Sequence, residues 1–166
     1  MNDKILLILI ERYSYTAQTS LGRMFFLYEK QFVTDPPQPI KVYFGNTLED
    51  TVRPENIKVY GETALPGGLE CDVSLFENDH YKKTIIFHTE PDKVTIKAGI
   101  LKWVGCLAHG GQTHKDTAGC VIVAHSIIDK DTVQGSLKDD LRKFIEEKMN
   151  EGYKIKARFV NLNQLQ

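Results

Sequence analysis

A histidine and a cysteine, each beside glycine, bracket a short polar loop: the stretch runs Gly105-Cys106-Leu107-Ala108-His109-Gly110-Gly111, then Gln112 to Ala118, then Gly119-Cys120-Val121-Ile122-Val123. An apolar strand ends at His109 and a second one opens at Cys120. A thiol becomes a nucleophile when a base stands within hydrogen-bond reach. A histidine at one strand's end and a cysteine at the start of the next meet that need if the strands are neighbours. Gly110 and Gly111 let the backbone turn sharply. Gly119 allows a substrate to approach closely, and amides near Cys120 can form an oxyanion hole. An imidazolium beside the thiol would lower its pKa.

Other readings of these residues stay open. Cysteine is among the most buried residue types, so Cys120 fits a small core position equally, and His109 fits a capped strand end. Cys106, His109, His114 and Cys120 offer four zinc-type ligands. However, Cys106 and His109 are three apart and point to opposite faces of a regular strand, and the spacing matches no common zinc pattern. Asp116 either orients a histidine or caps the loop, and the loop role is favoured. Cys71, Cys106 and Trp103 are expected in the core. His88 is expected packed or exposed at a strand end, and His125 lies just beyond a strand without an obvious partner. The loop Gly61 to Gly68 lacks the Gly-Lys-Ser/Thr ending of a phosphate loop.

The elements around this segment are mostly strands. The chain has 166 residues, 42% hydrophobic and 26% charged, which suits one globular domain over residues 1–166. A net charge of −1 gives no basic field for nucleic acid. Three cysteines do not make a disulfide framework. The apolar run Ile5–Ile10 is too short for a signal peptide or a membrane span. It is expected to be a buried strand, in a protein that is cytoplasmic at synthesis.

Strands are expected over Ile5–Arg12, Gly22–Tyr28, Ile40–Phe44, Ile57–Tyr60, Leu69–Phe76, Thr84–His88, Val94–Ala98, Ile100–His109 and Cys120–Ala124, all rich in β-branched and aromatic residues. Thr34–Pro39, with three prolines, is expected as a connecting loop. One helix follows Ser136 as N-cap, with Leu137, Leu141, Phe144, Ile145 and Met149 at helical spacing and Gly152 as its stop. A last strand alternates over Tyr153–Val160.

These residues also carry a resemblance. His109-Gly110 and Thr117-Ala118-Gly119-Cys120-Val121 resemble the histidine and Ser-His-Gly-Cys signature of the L,D-transpeptidase (YkuD-type) catalytic domain, and Gly61–Gly68 resembles that family's Thr-Pro-x-Gly loop. A closer resemblance is to a phage-associated family of domains of unknown function. It is carried by Glu11-Arg12, Leu21-Gly22, Leu48-Glu49-Asp50, Val52-Arg53, Lys58-Val59 through Pro66, His109-x-Gly111 and Asp116 through Cys120. The resemblance implies an L,D-transpeptidase-like β-sandwich with one C-terminal helix. It makes Cys120 the nucleophile, His109 its activator and Gly119 part of the oxyanion site. Gly110, Gly111 and Thr117 would bound the substrate, and neither metal nor organic cofactor is needed. The substrate would be a peptidoglycan stem peptide, reached at lysis or from within a virion. The alternative is a non-catalytic phage accessory protein whose partners are virion components. Three departures weaken the enzyme: Thr117-Ala118 replaces serine-histidine; Ile122 stands where the signature has an arginine, whose pairing with a carboxylate is strong and directional; and no export signal is expected, although the usual substrate lies outside the cytoplasm.

Overall fold

The computed structural model describes residues 4–32, 39–54 and 56–163. Its strands are β1 (Lys4–Tyr15), β2 (Thr19–Phe32), β3 (Pro39–Asp50), β4 (Glu70–Asn78), β5 (Lys82–His88), the small hairpin β6 (Thr95–Ala98) and β7 (Leu101–Val104), β8 (Leu107–His109), β9 (Val121–Asp129), β10 (Thr132–Ser136) and β11 (Tyr153–Asn161). A helix α1 (Lys138–Asn150) precedes β11. The fold is mainly β with one helix, as expected.

The sandwich expectation gives way to a closed barrel. The strands follow the order β9-β3-β2-β1-β11-β4-β5-β8, and β8 pairs again with β9. Eight strands therefore form one ring, and β10 hangs on β9 outside it. Two facing sheets would leave edges, whereas closure satisfies the edge hydrogen bonds.

Alternation sorts the side chains between inside and outside. Leu6, Ile8 and Ile10 of β1, Ile85 and Phe87 of β5, Ala108, Val121 and Val123, and Ile155, Ala157 and Phe159 of β11 share the main core. Helix α1 stoppers one end of the ring. Its Leu141 and Ile145 enter that core, Phe144 stacks on Phe26 with centroids 4.2 Å apart, and the Arg142 guanidinium donates to the carbonyls of Phe76 and Thr84.

The other end is closed by polar chemistry and a loop. Arg12 and Glu49 are both fully buried, with Nε to Oε2 at 2.8 Å and Nη2 to Oε1 at 2.7 Å. Arg12 Nη1 also donates to Asn161 Oδ1, and the guanidinium lies over the Phe159 ring. The loop before β4 is stitched across this end, Ala64 N–H donating to Thr51 O and Gly68 N–H to Phe159 O.

Several elements differ from expectation. Ile57–Tyr60 is a loop: Ile57 is 50% and Tyr60 93% exposed, and the Val59 backbone is tied by the Thr63 hydroxyl instead of a partner strand. Ile100–His109 breaks into β7 and β8 at Gly105, whose φ of 74° ends the extended run. β10 was not expected, because Thr132–Ser136 is polar and only Val133 is buried. The helix starts one residue beyond the expected cap, Leu137 being the N-cap, while Ser136 Oγ still accepts from Lys138 N–H. The expected proline-rich loop, apart from Pro39, lies outside the described residues. No helix among the described residues is long and apolar enough to cross a membrane.

Removing one partner of a buried ion pair strands the other charge, at a cost of about 3–5 kcal/mol. Glu49→Ala is therefore expected to lower unfolding free energy by that order in urea titrations. The double variant Arg12→Met with Glu49→Leu should lose far less. Equal losses in the two proteins would overturn this account of the pair.

Candidate active site

The short strand β8 sets the histidine and the cysteine on one face, without a hydrogen bond between them. It runs parallel to β9, with Ala108 opposite Val121 and His109 opposite Ile122. Continuing that register sets Cys120 beside Leu107. Ala108 and Val121 face the core, so Leu107, His109 and Cys120 lie on the outer face of the ring. Cys120 packs there with Leu107 and Ile86. Strand spacings put the Cα atoms of Cys120 and His109 about 8 Å apart, as diagonal neighbours; no hydrogen bond joins the sulfur to the ring, Nδ1 being held by Gly110 O and Nε2 having no partner.

Each group has a defined setting. Cys120 is 8% exposed; its sulfur accepts from Leu107 N–H at 3.4 Å, and its thiol donates to Gly105 O at 3.6 Å. His109 is 2% exposed, with Nδ1 2.6 Å from Gly110 O. A carbonyl oxygen only accepts, so Nδ1 carries the hydrogen and the neutral ring has a bare lone pair on Nε2. That Nε2 is buried and has no hydrogen-bond partner.

Burial dominates the charge states. It pushes the Cys120 thiol above its ordinary value, opposed by the Leu107 amide and reinforced by Asp50. It pushes His109 below its ordinary value, opposed by the Gly110 carbonyl. The resting pair is thus a thiol and a neutral imidazole, and the imidazolium expected to lower the thiol pKa is absent near neutrality.

A third side chain, unmarked in the sequence, covers the pair. The Tyr81 ring stacks on His109 with centroids 5.0 Å apart and belongs to the cluster around Cys120. Its hydroxyl is raised by burial and by the neighbouring sulfur. Tyr81 is held from both sides, its N–H donating to Asn78 Oδ1 and its carbonyl accepting from Lys138 Nζ. Only the turn signal at Glu77-Asn78-Asp79 hints at this hairpin, since Tyr81 stands far upstream of the pair.

The loop between His109 and Cys120 is built by its own polar residues. Asp116 Oδ2 accepts from Gln112 and Thr113 N–H, closing a capping box on the short 3-10 turn His114–Asp116. Thr117 is buried, and its hydroxyl donates to Cys120 O at 2.7 Å. Gly110 lies under Ser136, and Gly111 under Asp116 and Ile122, with no room for a Cβ at either. Gly119 takes a φ of 93° against Trp103 and Thr63 O. Its N–H donates to Asp50 Oδ2 at 2.7 Å and so is already engaged. Cys106 and Trp103 face the main core, with Cys106 on the opposite side of the strand from His109. His88 is buried and bonded to Ser74, and His125 is exposed. Among the described residues, no group of three or more His, Cys, Asp or Glu is placed to hold a metal.

Searches of protein-family models, curated proteins and solved structures find no match.

Two outcomes follow. Gly119→Ala forces a Cβ to within 3.2 Å of Trp103 at a left-handed φ. It is expected to cost at least ~1 kcal/mol in thermal or urea unfolding; unchanged stability would mean this turn is not constrained. Tyr81→Ala should raise the iodoacetamide labelling rate of Cys120 several-fold at pH 8, read by peptide mass spectrometry. An unchanged rate would show that Tyr81 does not cover the thiol.

Proposed function

We propose that the protein is a Cys–His acyl-transfer or amide-hydrolysis enzyme of the L,D-transpeptidase type, acting on peptidoglycan stem peptides and phage or prophage encoded. The observation that carries this is the bare Nε2 lone pair of His109, buried without a partner on the face it shares with Cys120. A buried acceptor without a donor is costly; at rest the Cys120 thiol donates to Gly105 O, and it turns to His109 Nε2 for the proton to pass.

The first step needs no resting charge. The Cys120 sulfur bonds to the carbonyl carbon of a substrate amide while its proton passes to His109 Nε2. Collapse breaks the carbon–nitrogen bond, and the leaving amine takes that proton. The thioester then meets an incoming amine or water, which gives a proton to His109 as it attacks. Cys120 recovers that proton on release. General-base catalysis of this kind contributes about 10²–10⁴-fold.

A non-catalytic accessory role is the second reading, favoured by two observations. Cys120 lies under Tyr81 and is almost inaccessible. Ile122, in the place of the signature's arginine, is buried among Leu21, Leu48, Ala124 and Val133. Recognition of an anionic peptide then depends on other cations.

The test is intact-mass spectrometry of the protein incubated with synthetic stem tetrapeptides. The enzyme predicts an acyl adduct on Cys120, absent in Cys120→Ala and formed at least ~10²-fold more slowly in His109→Ala. The pH dependence has a definite sign. Because the His109 pKa is depressed, the base stays neutral below the usual histidine range, and acylation should persist into mildly acid solution before falling as the ring is protonated. No adduct with any such peptide, together with Cys120 labelling indifferent to His109→Ala, would leave the accessory reading standing.

A further inference from the structure

Thr47-Leu48-Glu49-Asp50 ends β3, and alternation sends neighbouring side chains to opposite faces. Glu49 turns into the barrel to meet Arg12. Leu48 lies outside with Ile122, its partner across β3 and β9. Asp50, two residues beyond Leu48, therefore shares the outer face. The same antiparallel register, carried two residues further, sets it opposite Cys120.

Asp50 is 2% exposed, yet it lines a cleft of about 440 Å³ that also holds Arg53, Glu62, His114, Lys115 and Thr117. Its Oδ2 accepts the Gly119 N–H at 2.7 Å. Gly119 sits at φ 93°, a conformation glycine adopts as readily as many others. The residue before the thiol thus has the freest backbone in the turn, and a buried carboxyl holds its amide.

We propose that Asp50 is a positioning residue for Cys120: it clamps Gly119, setting how the chain enters β9, and its charge governs how readily the neighbouring thiol ionises. This rests on the reading of Cys120 as the nucleophile, and it names a group that acts on that nucleophile.

The surroundings of Asp50 are mixed in charge. Glu49, on its own strand, points the other way and is paired. Glu62 and Arg53 come from the loop after β3, His114 and Lys115 from the 3-10 turn, and Cys120 stands just before β9. Burial pushes the Asp50 carboxyl up to about 6, against the pull of the Gly119 amide and His114 and with the push of Glu49 and Glu62. Near neutrality it passes between neutral and charged, and its charged form opposes a thiolate on Cys120.

Asparagine at this position keeps a carbonyl for the Gly119 amide and removes the charge; alanine removes both. The full chain is alkylated with iodoacetamide from pH 5 to 10, and Cys120 is followed by peptide mass spectrometry. In Asp50→Asn the rate–pH curve should move down by about half a pH unit or more, a roughly threefold faster reaction at pH 8. Hydrogen exchange at the Gly119 amide should stay slow in Asp50→Asn and quicken at least tenfold in Asp50→Ala. A curve for Asp50→Asn that overlays the wild type, or Gly119 protection unchanged in Asp50→Ala, would overturn the proposal. Alkylation needs no substrate. A shifted curve in a protein that never forms a peptide adduct would therefore reject the acyl-transfer reading and leave Asp50's role intact.

Discussion

The ring closes through a strand of three residues. β8 makes antiparallel pairs to β5 through Ala108 and Leu107, and parallel pairs to β9 through Ala108 and His109. Without it, β5 and the start of β9 would be open edges, and the core behind Ile85, Val121 and Val123 would meet water. The same closure sets the register that puts His109 and Cys120 on one face. Barrel integrity and the candidate site are thus one constraint. Thr84 Oγ1 reinforces it by donating to Ala108 O at the seam.

The ends of the ring are sealed by opposite means. At one, α1 supplies apolar side chains, and the stacking of Phe144 on Phe26 adds geometry to burial. At the other, Arg12 and Glu49 meet inside the barrel with the good geometry that a buried ion pair requires. Such pairs add little net stability over an apolar plug, but they penalise any arrangement that separates the charges. The pair links β1 to β3 across the intervening β2, and Asn161 adds β11. Three strands are therefore referenced to one guanidinium, and Asp50, the residue next to Glu49, inherits its position from that fixed point.

Much of this was legible where the signal was local. The apolar alternation of Tyr153–Val160 marks β11, whose Ile155, Ala157 and Phe159 do face the core. The helix announces itself by spacing, and Asp116 by the turn chemistry of its own loop. What stayed hidden depends on pairing between distant segments. The sequence of Ile57–Tyr60 suits a strand, but no partner lies alongside, and its apolar side chains face solvent. Closure into a ring needs β8 to find both neighbours, which no three-residue stretch declares. Arg12 and Glu49 stand out as residue types, yet only the barrel's cross-section brings them together. Asp50 and Tyr81 were illegible as site residues for the same reason: each meets Cys120 or His109 through strand register rather than chain proximity.

Burial moves the three titratable groups of the site in one direction. It raises the Cys120 thiol, lowers the His109 imidazole and raises the Asp50 carboxyl, each toward its neutral form. A pocket that disfavours charge at rest suits a reaction in which charge appears only as the sulfur attacks, provided fixed dipoles meet it. The Gly119 amide is committed to Asp50. The Leu107 N–H, which points at the Cys120 sulfur from the neighbouring strand, is a fixed donor already at that sulfur. It belongs to the backbone of β8, so the strand that closes the barrel also supplies the dipole that any thiolate on Cys120 meets first.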